Sequence, residues 1–139
     1  MKISLEPWAY EPVKGHFDDA GIDLRTPFDI TLSPGKSVII DTGVHMQIPI
    51  GYFGKIESKS GLNIKHNILT GHGVIDSGFR GTIVIRITNN GNEIYDFKAG
   101  DKICQIVLIP VLLADLEIVD SLDDSISGRD NDGYGSTGR

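Results

Sequence analysis

Residues 82–88 read TIVIRIT, and in this stretch Ile83, Ile85 and Ile87 fall on one face of the chain. An alternation of period two is the pattern of a β-strand with one buried face. Further runs of strand length lie at residues 37–40, 44–50, 52–56 and 103–109. Turns rich in glycine and proline separate them. Many short strands between closely spaced turns predict an all-β domain, built as a jelly roll, β-sandwich or barrel.

Two segments depart from this pattern. Residues 61–65 predict a short helical turn with Ser60 as its N-cap. Residues 111–122 fit a helical face nearly as well as a strand, and the alternation of Leu116 and Ile118 with Glu117 favours the strand.

The length of the chain predicts a single domain, because 139 residues are too few for two independent cores. After Asp120 large apolar side chains become scarce and glycines frequent, so this end of the sequence cannot build a core of its own. We therefore expect a core domain over residues 1–120 and a mobile, glycine-rich C-terminal arm over residues 121–139.

Charge and composition limit the classes of partner that the protein could bind. The formal net charge of −6 offers no basic surface to a nucleic-acid polymer, although a single nucleotide needs only a few local donors. No apolar run approaches the ~18 residues that span a bilayer, and the lone Cys104 cannot form an internal disulfide. We expect a soluble, cytoplasmic protein without a membrane partner. The spacing of the four histidines argues against a protein-ligated zinc site: His16, His45, His66 and His72.

The densest group of glycines lies at residues 71–81, GHGVIDSGFRG. Glycines remove side chains where a flat ligand could meet main-chain donors and acceptors, which leaves Asp76 and Phe79 to face it. An ordinary hairpin turn is the alternative for such a stretch.

Two further groups of residues have the composition of a phosphate-binding site. Residues 57–66, ESKSGLNIKH, combine a lysine, a hydroxyl and backbone N–H groups before a helical turn, unless they form only a strand-to-turn transition. Near the C-terminus, GRDNDGYGSTG could stack Tyr134 on a base and wrap phosphates with Gly135, Ser136 and Thr137, or be a solvated end. No GK[ST] follows these glycines, so the segment is not a Walker A loop.

Two isolated polar residues complete the set. Asp23 could act through waters on a hydrated Mg²⁺, although an aspartate in such a position is also commonplace. Gln105 is the polar exception in an apolar strand and needs a hydrogen-bond partner, for which a ligand phosphate is one candidate.

The order of these groups is more specific than any one of them. AGIDL, SKSGL, GVIDSGFRG, GDKICQ and GYGSTG follow one another between residues 20 and 138. This series resembles the five motifs of the trimeric dUTP diphosphatases (dUTPases). The resemblance implies a jelly-roll subunit with a flexible C-terminal arm, and a homotrimer whose three active sites each draw residues from all three chains. It also implies Mg²⁺-assisted hydrolysis of dUTP to dUMP and pyrophosphate, which limits uracil incorporation into DNA and supplies dUMP.

The resemblance also assigns roles by motif position. Asp76 resembles the carboxylate that activates the water attacking the α-phosphorus, and Phe79 the ring that stacks under the deoxyribose. The remaining matches are the uracil-pairing main chain of Gly71, Val74 and Ile75, the phosphate contacts Lys59, Ser60, Gly61 and Gln105, the water-mediated Mg²⁺ contact Asp23, and the closing arm of Arg129, Tyr134, Gly135, Ser136 and Thr137.

The sequence departs from the family pattern at several of these positions. Lys59 stands where arginine is usual, which replaces a bidentate phosphate contact by a point charge. Phe79 stands for a commoner tyrosine and Tyr134 for a phenylalanine, while Asp130 and Asp132 add negative charge to the arm.

Two alternatives share the fold. A dCTP deaminase has a similar hairpin but carries a catalytic glutamate ten residues after the aspartate, where this chain has Arg86. The second alternative is a catalytically silent module that senses dUTP through the same pocket.

Overall fold

The computed structural model describes residues 1–123. Within them the chain forms eleven strands and one helix, in this order: β1 (Lys2–Leu5), β2 (Gly21–Arg25), β3 (Ile30–Leu32), β4 (Ser37–Asp41), β5 (Val44–Gln47), β6 (Tyr52–Ser58), α1 (Ser60–His66), β7 (Ile68–Thr70), β8 (Val74–Ile75), β9 (Val84–Asn89), β10 (Tyr95–Phe97) and β11 (Lys102–Pro110). The predicted all-β class is confirmed.

The strands form four antiparallel sheets. The largest has the order β2-β11-β6-β8, and the second has the order β4-β9-β7. Two-stranded sheets pair β1 with β5 and β3 with β10. Most neighbours in these sheets are distant in sequence, as expected for a jelly-roll-like sandwich and not for a chain of simple hairpins.

A single cluster of aliphatic side chains fills the space between the sheets. The strand face predicted from Ile83, Ile85 and Ile87 is buried in it, while Val84 is exposed. β11 contributes Ile103, Cys104 and Ile106 to this core. It lies inside its sheet, with β2 paired on one side and β6 on the other.

The helix differs in detail from the prediction. Ser60 is the first helical residue and not the N-cap, which is Lys59 in extended conformation without a side-chain cap bond. The helix ends at His66, and its C-cap is Asn67, which has a positive φ of 52° and an N–H that bonds the carbonyls of Asn63 and Leu62. It has seven residues, and no helix in residues 1–123 is long and apolar enough to cross a membrane.

The strand predicted for residues 111–122 is wrong. This segment follows β11 without pairing to any strand in the described part of the chain. Its large side chains are in solvent in a single chain, with Leu116 95% and Ile118 99% exposed. Alternation supplies a face to bury but not a neighbouring strand to bond with, and both are needed for a stable strand. Residues 124–139, which hold most of the predicted arm, lie outside the described part.

Candidate active site

The turn after β8 carries Asp76 and Phe79. The Phe79 N–H donates to the Asp76 carbonyl at 3.1 Å, which closes a four-residue turn. The Arg80 guanidinium donates to the carbonyls of Ser77 and Phe79, both at 2.7 Å, so the turn is also tied from its far side. Sequence neighbours thus hold the turn in one shape and leave the Asp76 side chain exposed.

This turn borders a concavity of about 250 Å³, lined by Val74, Ile75, Asp76, Phe79, Thr82 and Val84. Phe79 lies against the main chain at Gly81, where an added Cβ would come within 2.6 Å of the ring. The volume is below the roughly 300–1,000 Å³ of typical ligand pockets. A larger concavity of about 480 Å³ lies beyond the end of α1, and none of the predicted site residues lines it.

The main chain of Val74 faces the open edge of the largest sheet. The Ile56 N–H donates to the Gly73 carbonyl at 3.0 Å, and Val74 is the next residue, opposite Lys55. Hydrogen bonding alternates along antiparallel strands, so the N–H and C=O of Val74 point away from β6. Among the three residues predicted to pair with uracil, Val74 therefore presents unused main-chain groups, whereas the N–H of Gly71 is bonded to the Arg86 carbonyl at 2.7 Å.

Asp23 is the centre of a second cluster. Its side chain is buried, at 6% exposure for the residue. Lys59 Nζ donates to one carboxylate oxygen, and Lys102 Nζ donates to the other at 2.7 Å. Burial raises the pKa of the Asp23 carboxyl, but the hydrogen bonds and positive charges of Lys102 and Lys59 outweigh it, so that the pKa lies below its ordinary value of 3.8.

Lys102 was missed by the sequence analysis. Lys102 belongs to the same motif as the polar residue Gln105, and this could have marked it as a candidate site residue. Its approach to Asp23, however, depends on the pairing of β11 with β2. A register shift between Lys102 and Cys104 places Lys102 opposite Arg25 and Gln105 opposite Asp23. Such an irregularity decides which side chains meet and is not visible in the residue pattern.

Gln105 already has a partner within the chain. Its Nε2 donates to the Ser58 carbonyl at 3.2 Å. The side chain fits because residue 21 is glycine, where a Cβ would lie 2.0 Å from the Gln105 Oε1 atom. A ligand phosphate is therefore not required to satisfy this amide. Gln105 nevertheless lies beside Asp23, next to the start of α1 with Ser60 and Gly61.

The donor set around Asp23 suits a hydrated Mg²⁺ and not a bare ion. An ionised carboxylate has about four lone-pair sites, of which the two lysines use two, so metal-bound waters could still donate to it. Two ammonium groups at this distance would repel a directly coordinated cation. No group of three or more His, Cys, Asp or Glu in residues 1–123 could hold a metal. The ion would have to arrive with phosphate ligands of its own.

The two clusters lie at different ends of β6. Gln105 and Cys104 pair with Glu57 and Ser58, whereas β8 pairs with Gly54 and Lys55. Four residues of strand separate Ser58 from Gly54, which is roughly 13 Å at 3.3 Å per residue. Asp76 follows β8 and so lies beyond this distance from the Asp23 cluster. Within one chain the two clusters do not converge on a single pocket.

Replacing Asp23 by asparagine should lower the free energy of unfolding by about 2 kcal/mol at neutral pH, because two half-buried ammonium groups lose a charged acceptor. The folded-state pKa lies below 3.8, so this contribution is present above 3.8 and is lost as the pH falls through the folded-state value. Urea unfolding of both proteins without Mg²⁺, at one protein concentration, measures the difference.

The control for this prediction is Asp29→Asn, which breaks the exposed pair with Lys98 and should change stability much less. A difference between wild type and Asp23→Asn that persists unchanged into strong acid would contradict the assignment.

Comparison with known proteins identifies the family. The family model dUTPase matches residues 10–138. The deoxyuridine 5′-triphosphate nucleotidohydrolase of Mus musculus is 37% identical over 137 residues, covering 99% of this chain and 83% of the mouse protein. That of Anaeromyxobacter sp. (strain Fw109-5) is 40% identical over 122 residues, covering 86% and 82%.

Solved dUTPase structures share the fold. The dUTPase of Staphylococcus bacteriophage 80alpha with dUPNHPP superposes with a TM-score of 0.88 at 27% identity, covering 99% of this chain and 98% of the phage protein. A mutant dUTPase from phage phi11 of S. aureus, described for its coordination of a structural Mg(II) ion, superposes with a TM-score of 0.79 at 27% identity, covering 86% and 96%. With five motifs in order and a family model that matches nearly the whole length, this chain belongs to the dUTPase family.

Proposed function

We propose that this chain hydrolyses dUTP to dUMP and pyrophosphate by Mg²⁺-assisted attack of water on the α-phosphorus. The observation that carries the proposal is the concavity in which Asp76 and Phe79 lie beside the open main-chain edge of Val74. It offers a carboxylate, a ring and a donor–acceptor pair, which are the groups needed for a water, a sugar and a pyrimidine edge.

The turn would bind the nucleoside part of dUTP. The N–H and C=O of Val74 would pair with a carbonyl oxygen and the N3–H of uracil, and a close approach of the turn to the base would exclude a 5-methyl group. Phe79, 42% exposed, has ring surface available to stack under a deoxyribose and to exclude a 2′-hydroxyl. Asp76 would orient and deprotonate the attacking water, and it is exposed at the border of the same concavity.

The Asp23 cluster would bind the triphosphate. We assign phosphate contacts to Lys59, Ser60, Gly61 and Gln105, and the water-mediated Mg²⁺ contact to Asp23. Lys59 is bonded to Asp23 in the free chain, so phosphate would compete for its ammonium group or share it. Lys102 keeps a positive charge on the other carboxylate oxygen and would hold Asp23 in place during that exchange. The bound Mg²⁺ would supply neutralisation of phosphate charge.

We further infer a homotrimer with shared active sites. A base and the groups that hold the triphosphate must act on the same phosphate, yet roughly 13 Å of strand separates their positions in one chain. Exposed apolar side chains along residues 111–122 offer surface that a second copy could bury. Each site would then combine the turn of one chain, the Asp23 cluster of another, and the arm residues Arg129, Tyr134, Gly135, Ser136 and Thr137.

In a cell this activity would limit uracil incorporation into DNA and supply dUMP. We place it in the cytoplasm, in keeping with a lone, buried and unpaired Cys104.

Pyrophosphate release from dUTP, dCTP, dTTP and UTP with Mg²⁺ tests the proposed function. We expect turnover of dUTP alone. Ammonia release from dCTP would instead identify a deaminase, and tight dUTP binding without turnover would identify a sensor.

Sedimentation of the protein should give the mass of three chains, and a monomer with full activity would contradict shared sites.

A further inference from the structure

His45 on β5 ties the Asp76 turn to two other parts of the fold. Its Nδ1 lies 2.8 Å from the Arg80 carbonyl oxygen, and its Nε2 lies 3.0 Å from Glu6 Oε1, just after β1. The side chain is 26% exposed. The Arg80 guanidinium donates to the carbonyls of Ser77 and Phe79. His45 therefore contacts the last residue of the turn that carries the proposed base, Asp76.

Both partners of His45 accept hydrogen bonds and cannot donate them. A peptide carbonyl and an ionised carboxylate have no proton to give, so each ring nitrogen must carry one. A neutral imidazole carries a proton on one nitrogen only and would turn a lone pair towards either Arg80 or Glu6. Both contacts are hydrogen bonds at the same time only when the ring is an imidazolium.

The charged surroundings of His45 favour this form. The Arg80 carbonyl and then Glu6 raise the pKa of His45 above its ordinary value of 6.5, and they outweigh the opposing effect of burial. Asp41 on β4 adds a further negative charge, while its carboxylate oxygens accept from the Gly43 N–H and the Thr82 hydroxyl. The Arg80 guanidinium is turned towards the carbonyls of Ser77 and Phe79.

The hydrogen bond between His45 and Arg80 lies where the turn has few other contacts with the rest of the fold. On its upstream side β8 pairs with β6 through only two residues. On its downstream side, bonding to the neighbouring strands begins at Thr82, whose hydroxyl donates to Asp41, and continues at Ile83, which bonds Val44 and Thr42. Between these two points, the bond from His45 to Arg80 joins the turn itself to the neighbouring sheet.

We propose that His45 is a positioning residue which, when doubly protonated, fixes the Asp76–Arg80 turn against β5 and makes turnover sensitive to alkaline pH. The proposal rests on the proposed dUTP hydrolysis and names a regulation of that same site. Because the pKa is raised on folding, the tie is complete below the unfolded value of 6.5 and is lost as the pH rises through the folded value. Loss of one hydrogen bond should loosen Asp76 and Phe79 together.

The first test compares the pH profiles of kcat and KM for wild type, His45→Gln and Glu6→Gln. In wild type, kcat/KM for dUTP should fall roughly two- to tenfold as His45 loses its proton, the fold-change expected for one hydrogen bond. Glutamine does not titrate, so His45→Gln should give a profile without this step. Glu6→Gln should move the step to lower pH, because the ring loses its carboxylate partner.

The control is His16→Gln, which removes an exposed histidine far along the chain and should leave the step unchanged. A step that stays at the same pH in both His45→Gln and Glu6→Gln, or a wild-type profile without a step across the pH at which His45 titrates, would overturn the proposal.

The second test does not depend on activity. An NMR titration of the four histidine rings, assigned by the signal missing in His45→Gln, gives the pKa of His45 directly. We expect a value above 6.5, and backbone amide shifts of residues 77–80 that follow the same curve. A value at or below 6.5, or turn amides indifferent to the titration, would overturn the proposal. If wild type failed to hydrolyse dUTP, the proposed function would fail, and this titration would still decide the role of His45.

Discussion

Asp76→Asn should lower kcat for dUTP by roughly 10²- to 10⁴-fold, the contribution expected of a general base. Asparagine has nearly the same shape, so it preserves the turn, which is closed by main-chain and Arg80 bonds and not by the Asp76 side chain. Its amide cannot accept a proton from water. Because Phe79 and the Val74 main chain are untouched, KM should stay within about twofold of wild type.

Steady-state kinetics with dUTP, together with binding of a non-hydrolysable analogue, separate the two effects. Asp18→Asn removes the same charge from an exposed loop and serves as the matched control. Near-normal turnover in Asp76→Asn would show that another group activates the water. A large rise in KM with unchanged kcat would assign Asp76 to binding.

Deleting residues 128–139 should lower kcat/KM by at least about 100-fold, the scale of loss seen when reacting groups are poorly held. The described part of the site is open: Phe79 is 42% exposed, and the concavity of about 250 Å³ is too small to enclose a nucleotide. A segment that covers the nucleotide would exclude water and complete the contacts to phosphate.

The same deletion should leave the unfolding midpoint nearly unchanged, because β11, the last described strand, ends at Pro110. Thermal unfolding and dUTP kinetics on the truncated chain measure both expectations, with removal of Arg139 alone as the control. Full activity in the truncated chain would show that residues 128–139 take no part in catalysis.

The fold was predictable where a strand is long and its face is buried. β6, β9 and β11 have six to nine residues, and their runs were recognisable. β3, β7, β8 and β10 have two or three residues each, too few for a period to show. Such strands exist because a partner strand bonds to them, so the information that creates them lies elsewhere in the chain.

The site divides in a similar way. Asp76, Phe79, Lys59 and Asp23 were predicted as site residues because their motifs follow one another in a specific order. Lys102 was missed because a register shift brings it to Asp23. His45 was noted only as a histidine without metal partners, and its bond to Arg80 joins residues 35 positions apart.

The sequence by itself determined the chemistry on offer: which residues carry charge, hydroxyl or ring, and which strand faces are apolar. These properties are local and follow from side-chain type and period. Only the tertiary structure decided that Asp23 is held by two lysines, that Val74 faces an open edge, and that Asp76 lies at the opposite end of β6 from the Asp23 cluster. These features depend on strand register, which long-range pairing sets and a residue pattern does not contain.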